Sequence, residues 1–141
     1  MMNKTNAWLN DDLGKLLVRI PTGGLMLFHG IHKLIHGHDF IKSSLIEKGL
    51  PEIMWIGVPV AEVVAPILLI LGVFGRISAL LISTVMIFSL YLAHGVASFN
   101  LTEHGGLEAE YNIYFILVGL GIFFAGTGKY SIYQPENKWL S

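Results

Sequence analysis

The fold is decided by residues 77–102, ISALLISTVMIFSLYLAHGVASFNLT, which contain no Asp, Glu, Lys or Arg over 26 positions. A bilayer hydrocarbon core of about 30 Å requires roughly 20 apolar residues in a helix, so this stretch is long enough to cross it. A helix of a soluble bundle shows a charged face at a 3.6-residue period, and this stretch has none. We therefore favour a membrane helix over the alternative, a soluble four-helix bundle.

Two further stretches are nearly free of charge. Residues 111–128 contain no charged residue over 18 positions, and residues 53–75 contain only Glu62. Residues 16–35 are apolar enough for a fourth span, although they include two cations. Windows of this length predict an all-α integral membrane protein, a four-helix bundle forming a single domain over residues 1–141. The four predicted spans are residues 16–36, 53–74, 77–99 and 111–127.

The composition of the chain excludes several classes of function. Only 13% of the residues are charged and 53% are hydrophobic, whereas a soluble protein is about 25% charged. The formal net charge of −1 gives no basis for binding nucleic acid. The chain has no cysteine, which excludes disulfides, thiol catalysis and Cys-ligated iron–sulfur clusters. An electron carrier would have to be a bound quinone, haem, flavin or metal, or belong to a partner.

Lysine and arginine near the span ends predict the orientation, because these residues are enriched on the cytoplasmic side. Four spans place six of them on one side of the membrane and fewer on the other. We therefore expect both termini to be cytoplasmic. The six are Lys4, Lys15, Arg19, Arg76, Lys129 and Lys138, and the other side has Lys42 and Lys48, with Lys33 inside a helix end.

A histidine-rich sequence, HGIHKLIHGH, occupies residues 29–38. At 100° per residue, His29, His32 and His36 share one face of the first helix. Imidazoles three and four residues apart can share a ligand, so this face, with His94 of the third span, could bind a metal or b-type haem or relay protons. The alternative is a structural role, in which the imidazoles bond to headgroups, water or neighbouring helices.

Glu62 is the carboxyl that lies deep within a predicted span. Such residues are costly and usually face the bundle interior. At 1.5 Å per residue, Glu62 and His29 lie at about the same height, so we expect them to pair if their helices are neighbours. Pro59 and Pro66 flank Glu62 and predict a kink, which is either purely structural or the wall of a binding cavity.

Other features of the spans predict helix packing and helix ends. Arg19 lies deep enough to need either a partner or a path by which its side chain extends, or snorkels, to the cytoplasmic headgroups, and we favour snorkelling. Gly23, Gly24 and Gly30 permit close contact between helices. The sequence AGTGKYS at residues 125–131 is typical of a helix C-terminal stop.

Taken in order, several motifs resemble those of the DoxX family of small four-helix membrane proteins. The likeness extends over nearly the whole chain, from about residue 15 to residue 132. The motifs are R-x3-GG-x3-FHG-x2-K from Arg19 to Lys33, Glu62 in the second span, Gly72 and Arg76 at its end, Glu110 before the fourth span, and GTGKYSI at residues 126–132.

This resemblance implies a multi-pass protein of the bacterial inner membrane that is associated with quinone-linked oxidoreductases. We expect a quinone-interacting or accessory subunit of a membrane redox system, with a membrane or periplasmic oxidoreductase as partner. Whether the chain is itself an enzyme stays open, as does homo-oligomer formation. The candidate quinone-binding residues are Arg19, His29, His32, Lys33, Glu62 and His94.

Two alternatives stay open beside the quinone hypothesis. One is a metal or b-type haem site. Its candidate ligands are His29, His32, His36 and His94. The other is a non-catalytic accessory subunit or a subunit for small-molecule permeation.

Overall fold

The computed structural model describes residues 9–140, apart from the side chain of His94. Over this range the chain is all-helical, as predicted, with one isolated bridge between Leu101 and Leu107 instead of any strand. Lys4, which contributed to the predicted orientation, lies outside the described residues. The main helices of this range are α1 (Asp11–His36), α2 (Asp39–Glu47), α3 (Glu52–Leu71), α4 (Gly75–Ala93) and α5 (Glu110–Ala125), and a short 3-10 helix, Gly95–Phe99, follows α4.

Two of these helices, α3 and α4, are long and apolar enough to cross a membrane. α5 is also apolar but shorter, and α1 has the length, at 26 residues, but more charge. The bounds of α3 and α5 lie within three residues of the second and fourth predicted spans, whereas α4 ends at Ala93, six residues before the third predicted span ends. The number of spans and the side on which the termini lie stay predictions.

α1 begins five residues before its predicted start because Asn10 caps it. The Asn10 side chain accepts hydrogen bonds from the backbone N–H groups of Asp12 and Leu13, at 3.0 and 3.3 Å. Two acidic residues in the first turn also favour the positive end of the helix dipole. The helix ends at Gly37, whose φ of 90° lies in the region that glycine adopts readily.

The four long helices form a closed ring. α1 packs on α3 and α5, and α4 packs on the same two helices from the other side. The short helix α2 lies against the start of α3 and the end of α4. The core between the long helices is apolar and includes Met26, Leu69, Ile82, Phe115 and Ile122.

Large apolar side chains also cover the outside of the ring. Phe28 is 75% exposed, Ile35 73% and Phe124 75%. A soluble protein rarely shows contiguous apolar surface of this kind. These side chains suit contact with lipid.

Glycines on α1 allow this helix to pack closely on α3. A Cβ at Gly30 would collide with the main-chain carbonyl of Glu62, and one at Gly23 would lie 2.9 Å from the carbonyl oxygen of Pro66. The predicted role of these two glycines in helix contact is confirmed. A Cβ at Gly24 would meet nothing within 4 Å, so the same prediction is wrong there.

The backbone of α3 changes its winding next to Glu62. The segment Val60–Val64 is a π turn, which lies between Pro59 and Pro66. Pro66 has no N–H, so it cannot donate the usual helical bond to the carbonyl of Glu62, four residues earlier. The helix is therefore wound more widely next to Glu62, and such turns are frequent at functional sites. The kink that the two prolines predict stays a prediction.

Candidate functional site

The site is built around a buried ion pair between Lys33 and Glu62. Lys33 lies in the last turn of α1, and Glu62 lies in the π turn of α3. The distance between Lys33 Nζ and Glu62 Oε1 is 2.6 Å. The Glu62 side chain is 1% exposed and that of Lys33 31%. A short, charge-assisted hydrogen bond of this kind is about twice as strong as one between neutral groups.

The second carboxylate oxygen of Glu62 has no such partner. Within the described part of the chain, Oε2 is buried and accepts no hydrogen bond. Leaving a buried acceptor unpaired costs about 1–3 kcal/mol, so an unpaired oxygen in a folded protein usually has a functional explanation. Oε2 is therefore available to a hydrogen-bond donor that is not part of the described chain.

The ion pair forms the polar end of a cavity of about 180 Å³. α3 and α4 supply most of the apolar walls, and α2 covers one side. The cavity therefore combines a charged end with apolar walls. Besides Lys33 and Glu62, its lining includes Phe40, Ile41, Ser44, Val58, Val85, Phe88 and Leu92.

An apolar groove of about 330 Å³ adjoins this cavity along α3 and α4. The two spaces share Val58, Val85 and Phe88. The remaining lining of the groove is almost entirely apolar, with Thr84 as the exception. Cavity and groove together suit an amphiphile that has a small polar head and an apolar tail.

The predicted contact between Glu62 and His29 is wrong. His29 Nε2 lies 2.7 Å from the hydroxyl oxygen of Tyr111 on α5, and Glu62 pairs with Lys33 instead. Lys33 follows His29 by one helical turn, and its long side chain spans the difference in height. His29 and Tyr111 form a second polar pair, which joins α1 to α5.

Sequence reasoning missed two parts of this site. Tyr111 was not among the candidate residues, although it begins the fourth predicted span. The cover formed by α2 was also missed, because residues 39–47 are too short and too polar to be read as a span.

His32 and His36 do not point to the Lys33–Glu62 pair. Their rings stack with centroids 4.0 Å apart, and His36 Nδ1 lies 2.9 Å from the main-chain oxygen of His32. Residues 9–140 hold no group of three His, Cys, Asp or Glu side chains that could bind a metal ion. The side chain of His94 lies outside the description, so the metal or haem site stays a prediction.

Arg19 lies far from the ion pair and does not snorkel, so that prediction is wrong. Its side chain is 1% exposed. Nη1 donates to the carbonyl of Thr127 at 2.6 Å and to Ser131 Oγ at 2.9 Å, and Nη2 donates to the carbonyl of Tyr130 at 2.5 Å. The segment after α5 folds back over Arg19 and accepts hydrogen bonds from both of its terminal nitrogens, whereas Nε is buried without a partner in the described chain. Span lengths cannot reveal this arrangement.

Comparison of the chain with known proteins gives a family match. The family model described as DoxX matches residues 14–95, more than half of the chain. The matched region contains α1 except for its first three residues, all of α2 to α4, and both members of the Lys33–Glu62 pair. No curated protein and no solved structure gives a significant match to the chain.

Proposed function

The chain belongs to the DoxX family, and on that premise we propose that it is a quinone-binding membrane protein serving a redox system of the bacterial inner membrane. The observation that carries the proposal is the Lys33–Glu62 ion pair, which closes one end of an apolar cavity and leaves Glu62 Oε2 unpaired. Four spans with both termini in the cytoplasm complete the proposed topology.

The residues of the cavity fit a quinone head. A quinone ring is flat and apolar and carries two oxygens that accept hydrogen bonds, whereas the reduced form donates from two hydroxyls. The ammonium of Lys33 has three donors and gives one to Glu62, so it can also donate to a quinone oxygen. Glu62 Oε2 can accept from a hydroxyl of the reduced form. The adjoining groove of about 330 Å³ suits the isoprenoid tail.

The chain contributes binding and proton handling. A bound quinone would supply two-electron, two-proton redox chemistry. Lys33 is partly exposed and Glu62 is not, so Lys33 connects the buried carboxylate to the surface. The His29–Tyr111 pair, one turn away, offers a second titratable group on the same side of the bundle. With no cysteine in the chain, electrons would come from a partner oxidoreductase, for which this protein serves as a quinone-binding or accessory subunit.

Titration of the protein in lipid nanodiscs with a short-chain quinone tests the proposal. Hydrogen bonds to charged groups contribute about 1.5–3 kcal/mol. We therefore expect Glu62→Gln and Lys33→Met each to raise the dissociation constant by about tenfold to a hundredfold.

The matched control is Glu52→Gln, which makes the same chemical change at an exposed position of α3. It should bind the quinone as tightly as the original protein. Equal affinity in the Glu52→Gln and Glu62→Gln proteins would remove Glu62 from the site and contradict the proposal.

A further inference from the structure

A second cavity, of about 420 Å³, lies at the opposite end of the bundle from the Lys33–Glu62 pair. It is formed by the start of α1, the start of α4 and the segment that follows α5. Lys15 and Lys33 are 18 residues apart on α1, which separates the two sites by about 27 Å. The charged residues that line the cavity are Asp12, Lys15, Arg76, Lys129 and Lys138.

The charge of this cavity is strongly positive. Four cations and one carboxylate line it, a formal excess of three positive charges in a chain whose net charge is −1. The chain has nine Lys and Arg residues altogether, so nearly half of them surround one space. Like charges placed together repel one another, and an anion between them would remove that cost.

The contacts of Arg76, Lys129 and Lys15 explain only part of the cluster. Arg76 Nη1 donates to the main-chain carbonyls of Phe123 and Phe124 and so caps α5, but its Nε is buried without a hydrogen bond in the described chain. Lys129 Nζ lies 3.7 Å from Asp12 Oδ2, and the Lys129 side chain is 58% exposed, so this ion pair is loose. Lys15 makes no ion pair within residues 9–140.

We propose that this cavity binds a phosphate group. Lysine binds phosphate as a point charge and arginine through its planar fork of N–H groups, and the cavity offers both. Gly126 and Gly128 line the same space, and Gly128 packs against Asp12 and Lys15 of α1. A volume of about 420 Å³ is larger than phosphate alone and suits a phosphate ester. The ester is either the headgroup of an anionic lipid or a soluble metabolite.

Native mass spectrometry of protein extracted from vesicles of phosphatidylglycerol and phosphatidylcholine tests whether the bound phosphate is that of a lipid headgroup. The original protein should retain phosphatidylglycerol selectively. The variant Lys15→Gln/Lys129→Gln should bind it about 25-fold more weakly, because each lysine near an anionic surface contributes a factor of about five. Lys42→Gln/Lys48→Gln removes the same charge at the other end of the bundle and should retain the lipid. Thermal unfolding of both variants checks that they fold.

Glycerol 3-phosphate, added to the detergent-solubilised protein, tests whether the ligand is a soluble phosphate ester. A rise in the unfolding temperature that Lys15→Gln/Lys129→Gln abolishes and Lys42→Gln/Lys48→Gln keeps would identify a soluble phosphate ester as a ligand. Selective lipid retention without this shift would identify the headgroup. If neither probe distinguishes the two double variants, the proposal is overturned.

Discussion

Lys33 Nζ lies 2.6 Å from Glu62 Oε1 across the contact between α1 and α3. Gly30, one turn before Lys33 on α1, faces the main-chain carbonyl of Glu62. The ion pair and the helix contact that positions it therefore involve the same residue of α3. This arrangement links the packing of the bundle to the charge at the end of its cavity.

The ion pair should show strong coupling in a double-mutant cycle. Lys33→Met leaves a buried carboxylate without its partner, and we expect it to reduce the free energy of unfolding by about 2 kcal/mol, less than for a fully buried pair because Lys33 is partly exposed. In Lys33→Met/Glu62→Gln most of that loss should be recovered. The free energies are measured by unfolding the micelle-bound protein with a denaturing detergent. Additive losses in the double variant would show that the pair is not coupled.

Gly30→Ala should disturb the site through the backbone. The added methyl would collide with the carbonyl of Glu62, and overpacking of this kind costs about 1–3 kcal/mol. The unfolding temperature and the affinity for quinone should both fall. Gly24→Ala is the matched control on the same helix, because a methyl there meets nothing within 4 Å, and it should leave both properties unchanged. Equal effects of the two substitutions would contradict the close contact at Gly30.

Tyr111→Phe should cost about 1 kcal/mol of stability, the usual contribution of one hydrogen bond. It removes the hydroxyl that lies 2.7 Å from His29 Nε2. Tyr114→Phe is the control, since Tyr114 lies one turn further along α5 and is 62% exposed. Thermal unfolding compares the two variants. A Tyr114→Phe protein as destabilised as the Tyr111→Phe protein would argue against the His29–Tyr111 pair.

Arg19→Lys should loosen the segment after α5. The guanidinium donates to the carbonyls of Thr127 and Tyr130 and to Ser131 Oγ at once, and an ammonium cannot reproduce that planar fork. Trypsin should then cleave at Lys129 faster than in the original protein. Leu17→Ala, a change on the exposed face of α1, should leave the cleavage rate unaltered. Unchanged cleavage in the Arg19→Lys protein would mean that Arg19 does not hold this segment.

The four-span topology can be tested by labelling single introduced cysteines, because the chain has none of its own. Cysteine at Glu103, in the loop before α5, should react with an impermeant maleimide in intact cells. Cysteine at Glu136, after α5, should react only once the membrane is permeabilised. Both positions are exposed. Labelling of both positions from outside would contradict an even number of spans with cytoplasmic termini.

The positions of the long helices could be predicted from the sequence. Charged residues are costly within a bilayer, so stretches without charge indicate where the spans lie. Residues 77–102 and the single charge at Glu62 led to bounds for α3 and α4 that agree with the structure to within a few residues at most ends. The helix cap at Asn10 and the π turn at Val60–Val64 shift the height of residues along their helices. Counting 1.5 Å per residue could not include either effect.

The partners of the charged side chains were less predictable. The terminal nitrogens of Arg19 donate to a segment more than 100 residues away, and no pattern along the chain shows that this segment folds back. Lys33 was recognised as a candidate, but His29 was preferred as the partner of Glu62 on height alone. The reach of the lysine side chain and the close packing of α1 on α3 bring Lys33 to Glu62, and that packing is not visible in the sequence.

The central claim is that the Lys33–Glu62 cavity holds a quinone. It is tested most directly by mass spectrometry of the small molecules that remain bound when the protein is extracted from its native membrane with its surrounding lipid. We predict that quinone is retained by the original protein and by Glu52→Gln, and that it is largely lost from Glu62→Gln and Lys33→Met. Absence of quinone from the original protein, or equal retention in all four proteins, would contradict the claim.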